Sequence, residues 1–200
     1  MKRIASKVII IAFVIISLIS CATTSLTSIK NHDYDITKPK KLMIFASSQD
    51  LSFKKTVEQA FFEAFFEKGY LSFQSIELLP PIRQYTNEEI TKIYQNNSID
   101  GLLIIIVMDE YSEKEYVPQI STTTTSKNIY GNKIYGQSQT YTSGGYYEEK
   151  PRIKCLIEVI DINNGATVWK ATSLTSGNSY ANTEIMMKSL ALMASTEYLK

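Results

Sequence analysis

The chain has 200 residues, with 21 Lys and Arg against 20 Asp and Glu and a formal net charge of +1. Phosphate recognition needs a clustered basic surface, and this balance argues against nucleic acid as a partner. The length suits one domain of ordinary size with a real core.

Lys2, Arg3 and Lys7 precede an apolar run from Val8 to Ile19, which ends at Ser20-Cys21. A basic head, a short apolar stretch and a small residue before the cut describe a secretory signal peptide over residues 1–20. The run is about a dozen residues long, short of the about 20 that a membrane-crossing helix needs. Leu18-Ile19-Ser20-Cys21 resembles the bacterial lipobox, in which the cysteine thiol receives a diacylglycerol and the new N-terminus is acylated. Cys21 is therefore the expected lipidation site and the link to a membrane. Two or more acyl chains would anchor it stably, since each buried methylene contributes about 0.8 kcal/mol. Ala22 follows the cysteine where Asp would favour inner-membrane retention, so the resemblance implies the outer membrane, facing the periplasm; a single-membrane host would carry the same anchor on its outer face. Cleavage removes three basic residues and leaves a slightly acidic mature chain with little attraction to anionic lipid.

Residues 21–40 are polar and read as the lipidated cysteine and a flexible tether. His32, the only histidine, lies there, which removes most schemes needing an imidazole base. Leu42 to Ala46 predicts a first strand, and Ser47-Ser48-Gln49-Asp50 offers helix caps. Phe53, Val57, Ala60, Phe61, Ala64 and Phe65 recur at helical spacing up to Gly69. Phe62 and Phe66 widen that stripe, either as broader core contact or as a partner surface. Tyr70 to Leu79 reads as a second strand, stopped by Pro80-Pro81. Thr86 and Glu89 form a capping box before a short helix.

Leu102 to Met108 is a continuous apolar strand of the kind found centrally, with both sheet faces covered. Asp109, Glu110, Glu113 and Glu115 follow it without the spacing of a metal loop, so no metal or cofactor is expected. The polar insertion 119–147 holds Thr122 to Thr125, spaced tyrosines and four glycines, with few aliphatic residues. It reads as a long polar hairpin or a mobile loop, whose Tyr130, Tyr135, Tyr141 and Tyr146 are candidate partner contacts. Arg152–Ile162 and Ala166–Ala171 around Asn163-Asn164-Gly165 give the strongest hairpin signal. Cys155 alternates inward there and reads as a small buried apolar residue in preference to the spare thiol of an intermolecular bridge. Met186, Met187, Leu190, Met193 and Ala194 line one side of a closing helix.

The expected fold is α/β: a mixed sheet with amphipathic helices packed on it, βαβαβ followed by a β-hairpin and a C-terminal helix, as one domain over 41–200. The lipobox, the strand 41–46, the helix with Phe61 and Phe65, Ile99-Asp100-Gly101-Leu102, and Val159 to Trp169 together resemble outer-membrane lipoproteins with a TolB N-terminal-like domain. That broad group includes the penicillin-binding-protein activator LpoB and the curli secretion protein CsgG. The resemblance implies a fold and transfers no catalytic residue.

No Gly-x-Ser-x-Gly, zinc motif or phosphate loop occurs, and Ser47-Ser48 near Asp50 is a poor hydrolase site, so no catalytic residue or small-molecule substrate is identified. The expected role is a non-catalytic, lipid-anchored binding or assembly module of the cell envelope that docks a protein partner. The alternative is a homo-oligomeric, structural or secretion-associated lipoprotein, in which Phe62, Phe66 and segment 119–147 meet other copies.

Overall fold

The computed structural model describes residues 21–31, 39–130 and 133–200, and their side chains outside 127–137. In chain order the elements are β1 (Ala22–Lys30), β2 (Lys41–Ser47), α1 (Leu51–Glu67), β3 (Leu71–Gln74), α2 (Ser75–Leu78), α3 (Asn87–Asn97), β4 (Gly101–Val117), β5 (Ile120–Tyr130), β6 (Lys133–Ser143), β7 (Tyr146–Asp161), β8 (Thr167–Gly177) and α4 (Thr183–Leu199). Six strands form one sheet in the order β1-β8-β7-β4-β2-β3, and β5 and β6 form a second sheet of two strands. β2 pairs in parallel with β3 and β4, while β8 pairs antiparallel with β1 and β7. The sheet is therefore mixed, with helices packed on it, as the sequence pattern predicts. The described chain divides into two compact units: the residues up to Tyr111 with Pro151–Lys200, and Ser112–Lys150.

The first unit holds the core. Leu42, Ile44 and Ala46 of β2, Leu103 and Ile105 of β4, Ile153 to Val159 at alternate positions of β7, and Trp169 and Ala171 of β8 share one buried cluster. Val57, Phe61, Ala64 and Phe65 of α1 and Met186, Met187, Leu190, Ala194 and Tyr198 of α4 complete it. Asp50 caps α1 by accepting from the Ser52 and Phe53 amides, at 2.8 and 3.1 Å. Gly69, at φ 85°, turns the chain out of α1 through a conformation that costs other residues a steric penalty.

The capping box forms as the sequence predicts. The Glu89 amide donates to Thr86 Oγ1 at 3.3 Å, and the Thr86 amide donates to Glu89 Oε2 at 2.9 Å. The Thr86 amide, then Arg83, hold the Glu89 carboxyl below its ordinary value. Its contribution is present above the ordinary carboxylate range and is lost as pH falls through the depressed value. Replacing Thr86 by Ala should cost about 1 kcal/mol, read as a lower urea midpoint with unchanged slope.

Three expectations change. Residues 22–30, read as part of a tether, form edge strand β1, paired from Ala22↔Gly177 to Lys30↔Trp169. The strand was hidden because, Leu26 apart, its inward positions Ala22, Thr24 and Ser28 are small or hydroxylated. Thr24 is buried, with its hydroxyl 2.9 Å from that of Thr175 and 3.0 Å from that of Ser189 on α4. The second strand spans Leu71–Gln74 alone, and Ser75–Leu78 is a single helical turn. Burial in β4 alternates: Leu103 and Ile105 are buried, Leu102, Ile104 and Ile106 only half-buried, so its second face is not fully covered. Residues 1–20 and His32 lie outside the described residues.

The second unit is built on a hairpin. β5 and β6 pair antiparallel from Ile120↔Ser143 to Tyr130↔Lys133. Of the two readings of 119–147, the hairpin is the one observed. One face carries a ladder of hydroxyl pairs: Ser121–Thr142 at 3.2 Å, Thr123–Thr140 at 2.9 Å and Thr125–Ser138 at 3.1 Å. Such cross-strand pairs each contribute about 0.2–1 kcal/mol.

Candidate functional site

Cys21 is exposed and stands directly at the start of β1. Its carbonyl accepts from the Asn178 amide at 3.1 Å, and the Ala22 carbonyl accepts from Ser189 Oγ at 3.2 Å. The sulfur named by the lipobox thus adjoins the folded sheet without a flexible spacer.

The candidate contact residues fall in different units. Phe62 and Phe66 stack in the first, with ring centroids 6.0 Å apart; Phe66 is 60% exposed and Phe62 half-buried. Leu71 on edge strand β3 is also exposed. Tyr141 and Tyr146 are exposed in the second unit, where Tyr147 lies 5.2 Å from Tyr116. The side chains of Tyr130 and Tyr135 lie outside the described residues; their backbones occupy β5 and β6.

Asp109, Glu110, Glu113 and Glu115, expected to follow the central strand, lie within β4, and two of them meet lysines. Lys154 approaches Asp109 at 4.0 Å, and Lys150 reaches Glu115 at 2.5 Å. Among the described residues, no group of three or more His, Cys, Asp or Glu could hold a metal ion. Asp50 is occupied as the helix cap, and Ser48 Oγ accepts from its amide at 3.1 Å. No described helix is long and apolar enough to cross a membrane, which leaves strand-built spans untouched.

Cys155 is fully buried. Burial first, then the nearby Glu110 charge, push its thiol up to about 12. The thiolate is the reactive form, so Cys155 is inert in the fold. A Cys21→Ser variant should show no reaction with a thiol reagent in native buffer, and one thiol in denaturant. Rapid native modification would contradict the burial.

The spacing of apolar residues did not reveal the buried polar cluster at Glu58. Its carboxylate accepts from Ser75 Oγ at 2.6 Å, from the Ile76 amide at 2.9 Å and from the Ala46 amide at 3.1 Å. Lys54 Nζ pairs with it at 2.6 Å, donates to the Ala46 carbonyl at 2.9 Å and lies 4.0 Å from the centre of the Phe45 ring. The signal was present: Lys54 and Glu58 are four apart, beside the inward stripe of Val57 and Phe61. The cluster ties β2, α1 and α2 together and presents no free group to a substrate.

No family model and no curated protein matches the chain. The narrower likeness to TolB-like lipoproteins therefore has no family match behind it. Among solved structures, a PelC dodecamer from Paraburkholderia phytofirmans is 13% identical, with 86% of this chain and 94% of that one covered and a TM-score of 0.48. The lipoprotein GNA1162 from Neisseria meningitidis is 16% identical, with 81% and 100% covered and a TM-score of 0.42. A PDZ domain protein from Parabacteroides distasonis is 13% identical, with 90% and 37% covered and a TM-score of 0.40. At these identities and scores the likenesses transfer no activity, partner or site to this chain.

Proposed function

We propose that the protein is a non-catalytic lipoprotein of the bacterial envelope, held by acylated Cys21, that assembles with further copies of itself through the Ser112–Lys150 unit. The β5–β6 hairpin is the observation that carries this reading. Among the described residues it is a sheet of two strands, so each strand has one edge with no further strand beside it. Isolated two-stranded hairpins are marginal in water and gain stability from a third strand. Exposed edges are normally blunted by charge or proline. Here β5 and β6 carry Lys127 and Lys133 as their only charged residues and no proline. Each strand thus offers a template that another copy can extend. The likenesses to a dodecamer and to a lipoprotein concern those proteins, and the proposal stands on this chain's own hairpin and lipobox.

Light scattering on the delipidated protein tests the assembly. We expect a discrete oligomer for the native chain. A variant with 119–147 replaced by a short turn should be a monomer that keeps the unfolding midpoint of the first unit. A strict monomer for the native chain, in detergent and in its absence, would overturn it.

The second reading is docking of a different envelope protein, and the Phe62–Phe66 stack, with Phe66 exposed, favours it. Replacing Phe66 by Ser should then abolish cross-linking to that partner while leaving the oligomer intact.

A further inference from the structure

We infer that the end of the sheet around Cys21 is itself a lipid-binding surface, formed by the first residues of β1, the last of β8 and the turn Gly177–Asn182, with Tyr180 seated among the headgroups. The inference rests on acylation of Cys21 and goes beyond it by fixing which face of the domain meets the bilayer.

An acyl-bearing sulfur lies at the boundary of the hydrocarbon, and each headgroup layer outside that boundary is about 5–7 Å deep. A long tether would let the domain float clear of this layer. The chain has none, because pairing begins at Ala22, the residue after the cysteine. The Cys21 carbonyl holds the Asn178 amide at 3.1 Å, which places Asn178 inside the same layer. The turn is fixed to that spot. The Ala181 amide donates to the Asn178 carbonyl at 3.0 Å, and the Tyr180 amide donates to Asn178 Oδ1 at 3.2 Å. Gly177 is the point of closest approach, where a Cβ would sit 2.5 Å from that of Ala181. Tyr180 on this turn is 71% exposed. An apolar ring with a polar tip favours the interface between water and lipid. Arg152, the β7 residue paired with Ser176, hydrogen-bonds it through its guanidinium, which sets a cation beside the last residues of β8 for anionic headgroups.

Ile29 gives the contrast. It is 76% exposed and lies eight residues further along β1, about 26 Å from Cys21 at about 3.3 Å per residue. A domain standing on its Cys21 end keeps Ile29 in water.

The test uses the full chain, processed and acylated in bacterial membranes, in vesicles of phosphatidylethanolamine and phosphatidylglycerol. A fluorophore is placed at Ser179→Cys or at Ile29→Cys; Cys155 is buried and Cys21 is capped by its lipid. Brominated lipid should quench the label at 179 several-fold more than the label at 29, and Tyr180→Ser should reduce quenching at 179. Equal quenching at both positions, or a label at 179 that stays in water, would overturn the inference. Mass spectrometry of the same sample separates the failures. A chain with acyl mass whose 179 label stays in water overturns this surface and leaves the anchor. A chain lacking acyl mass removes the anchor and the surface together.

Discussion

Replacing Glu58 by Ala should destabilise the first unit by about 3–5 kcal/mol, the range for removing one partner of a buried ion pair. For a protein of this size that is a fall in Tm of about 6–20 °C. Glu58 is wholly buried and Lys54 nearly so. Without the carboxylate, the Ala46 and Ile76 amides and the Ser75 hydroxyl lose their acceptor, and the Lys54 ammonium keeps only the Ala46 carbonyl and the Phe45 ring. The reverse change is milder. Lys54→Met leaves the carboxylate with its three donors and puts an apolar chain of similar length where the lysine stem lay, so a loss at the lower end of that range, about 3 kcal/mol, is expected. Urea unfolding followed by the fluorescence of Trp169, the only tryptophan, reads both. Equal losses for the two variants would show that the ion pair, and not the three neutral donors, holds the junction.

The same cluster explains why one boundary was misread. Tyr70 to Leu79 is mixed in character, and nothing local stops a strand at Gln74. The turn of α2 begins there because Glu58, seventeen residues earlier, captures the Ser75 hydroxyl and the Ile76 amide. Long-range capture of this kind leaves no periodic trace. β1 was hidden for a related reason. Thr24 looks like a linker residue until Thr175 and Ser189 are brought beside it, and both come from the far end of the chain. Elements that carry their own signal were legible: the Thr86 capping box, the Asn163–Gly165 turn, and the stripes of α1 and α4.

The candidate site was legible in the same uneven way. Cys21 is singled out by a local signal, the lipobox resemblance of Leu18-Ile19-Ser20-Cys21, which is read along the chain without the fold. The consequence of strand pairing at the very next residue is tertiary, and composition concealed it. Phe66 proved exposed and Phe62 half-buried, which the width of a helical stripe does not resolve; only the position of β3 at the sheet edge decides how far the helix is covered.

Trp169→Ala should be of comparable severity, about 3–5 kcal/mol. Trp169 is 1% exposed and meets Tyr198 edge-on, with centroids 5.6 Å apart. Tyr198 in turn touches Phe65 and Tyr70, at 5.9 and 5.5 Å, and donates to the Pro39 carbonyl at 3.3 Å. These rings join β8 to both long helices, so the cavity left by the indole opens at the centre of the core. Trp169→Phe should cost much less. Trp169 Nε1 is buried without a hydrogen-bond partner among the described residues, and a buried orphan donor costs about 1–3 kcal/mol, which phenylalanine removes. Circular dichroism must follow these two variants, because the fluorescent reporter is lost. The cluster also sets an alkaline limit. Burial raises the phenols of Tyr70 and Tyr198, with the Tyr70, Asp100 and Asp161 charges adding to the second. In the unfolded chain both ionise near about pH 10. Their contribution is therefore complete below that value and is lost as pH rises towards the folded values. Tyr198→Phe should flatten this alkaline decline while lowering stability at neutral pH by about 1 kcal/mol, the worth of the bond to Pro39. A decline of unchanged steepness in Tyr198→Phe would place the alkaline sensitivity elsewhere in the molecule.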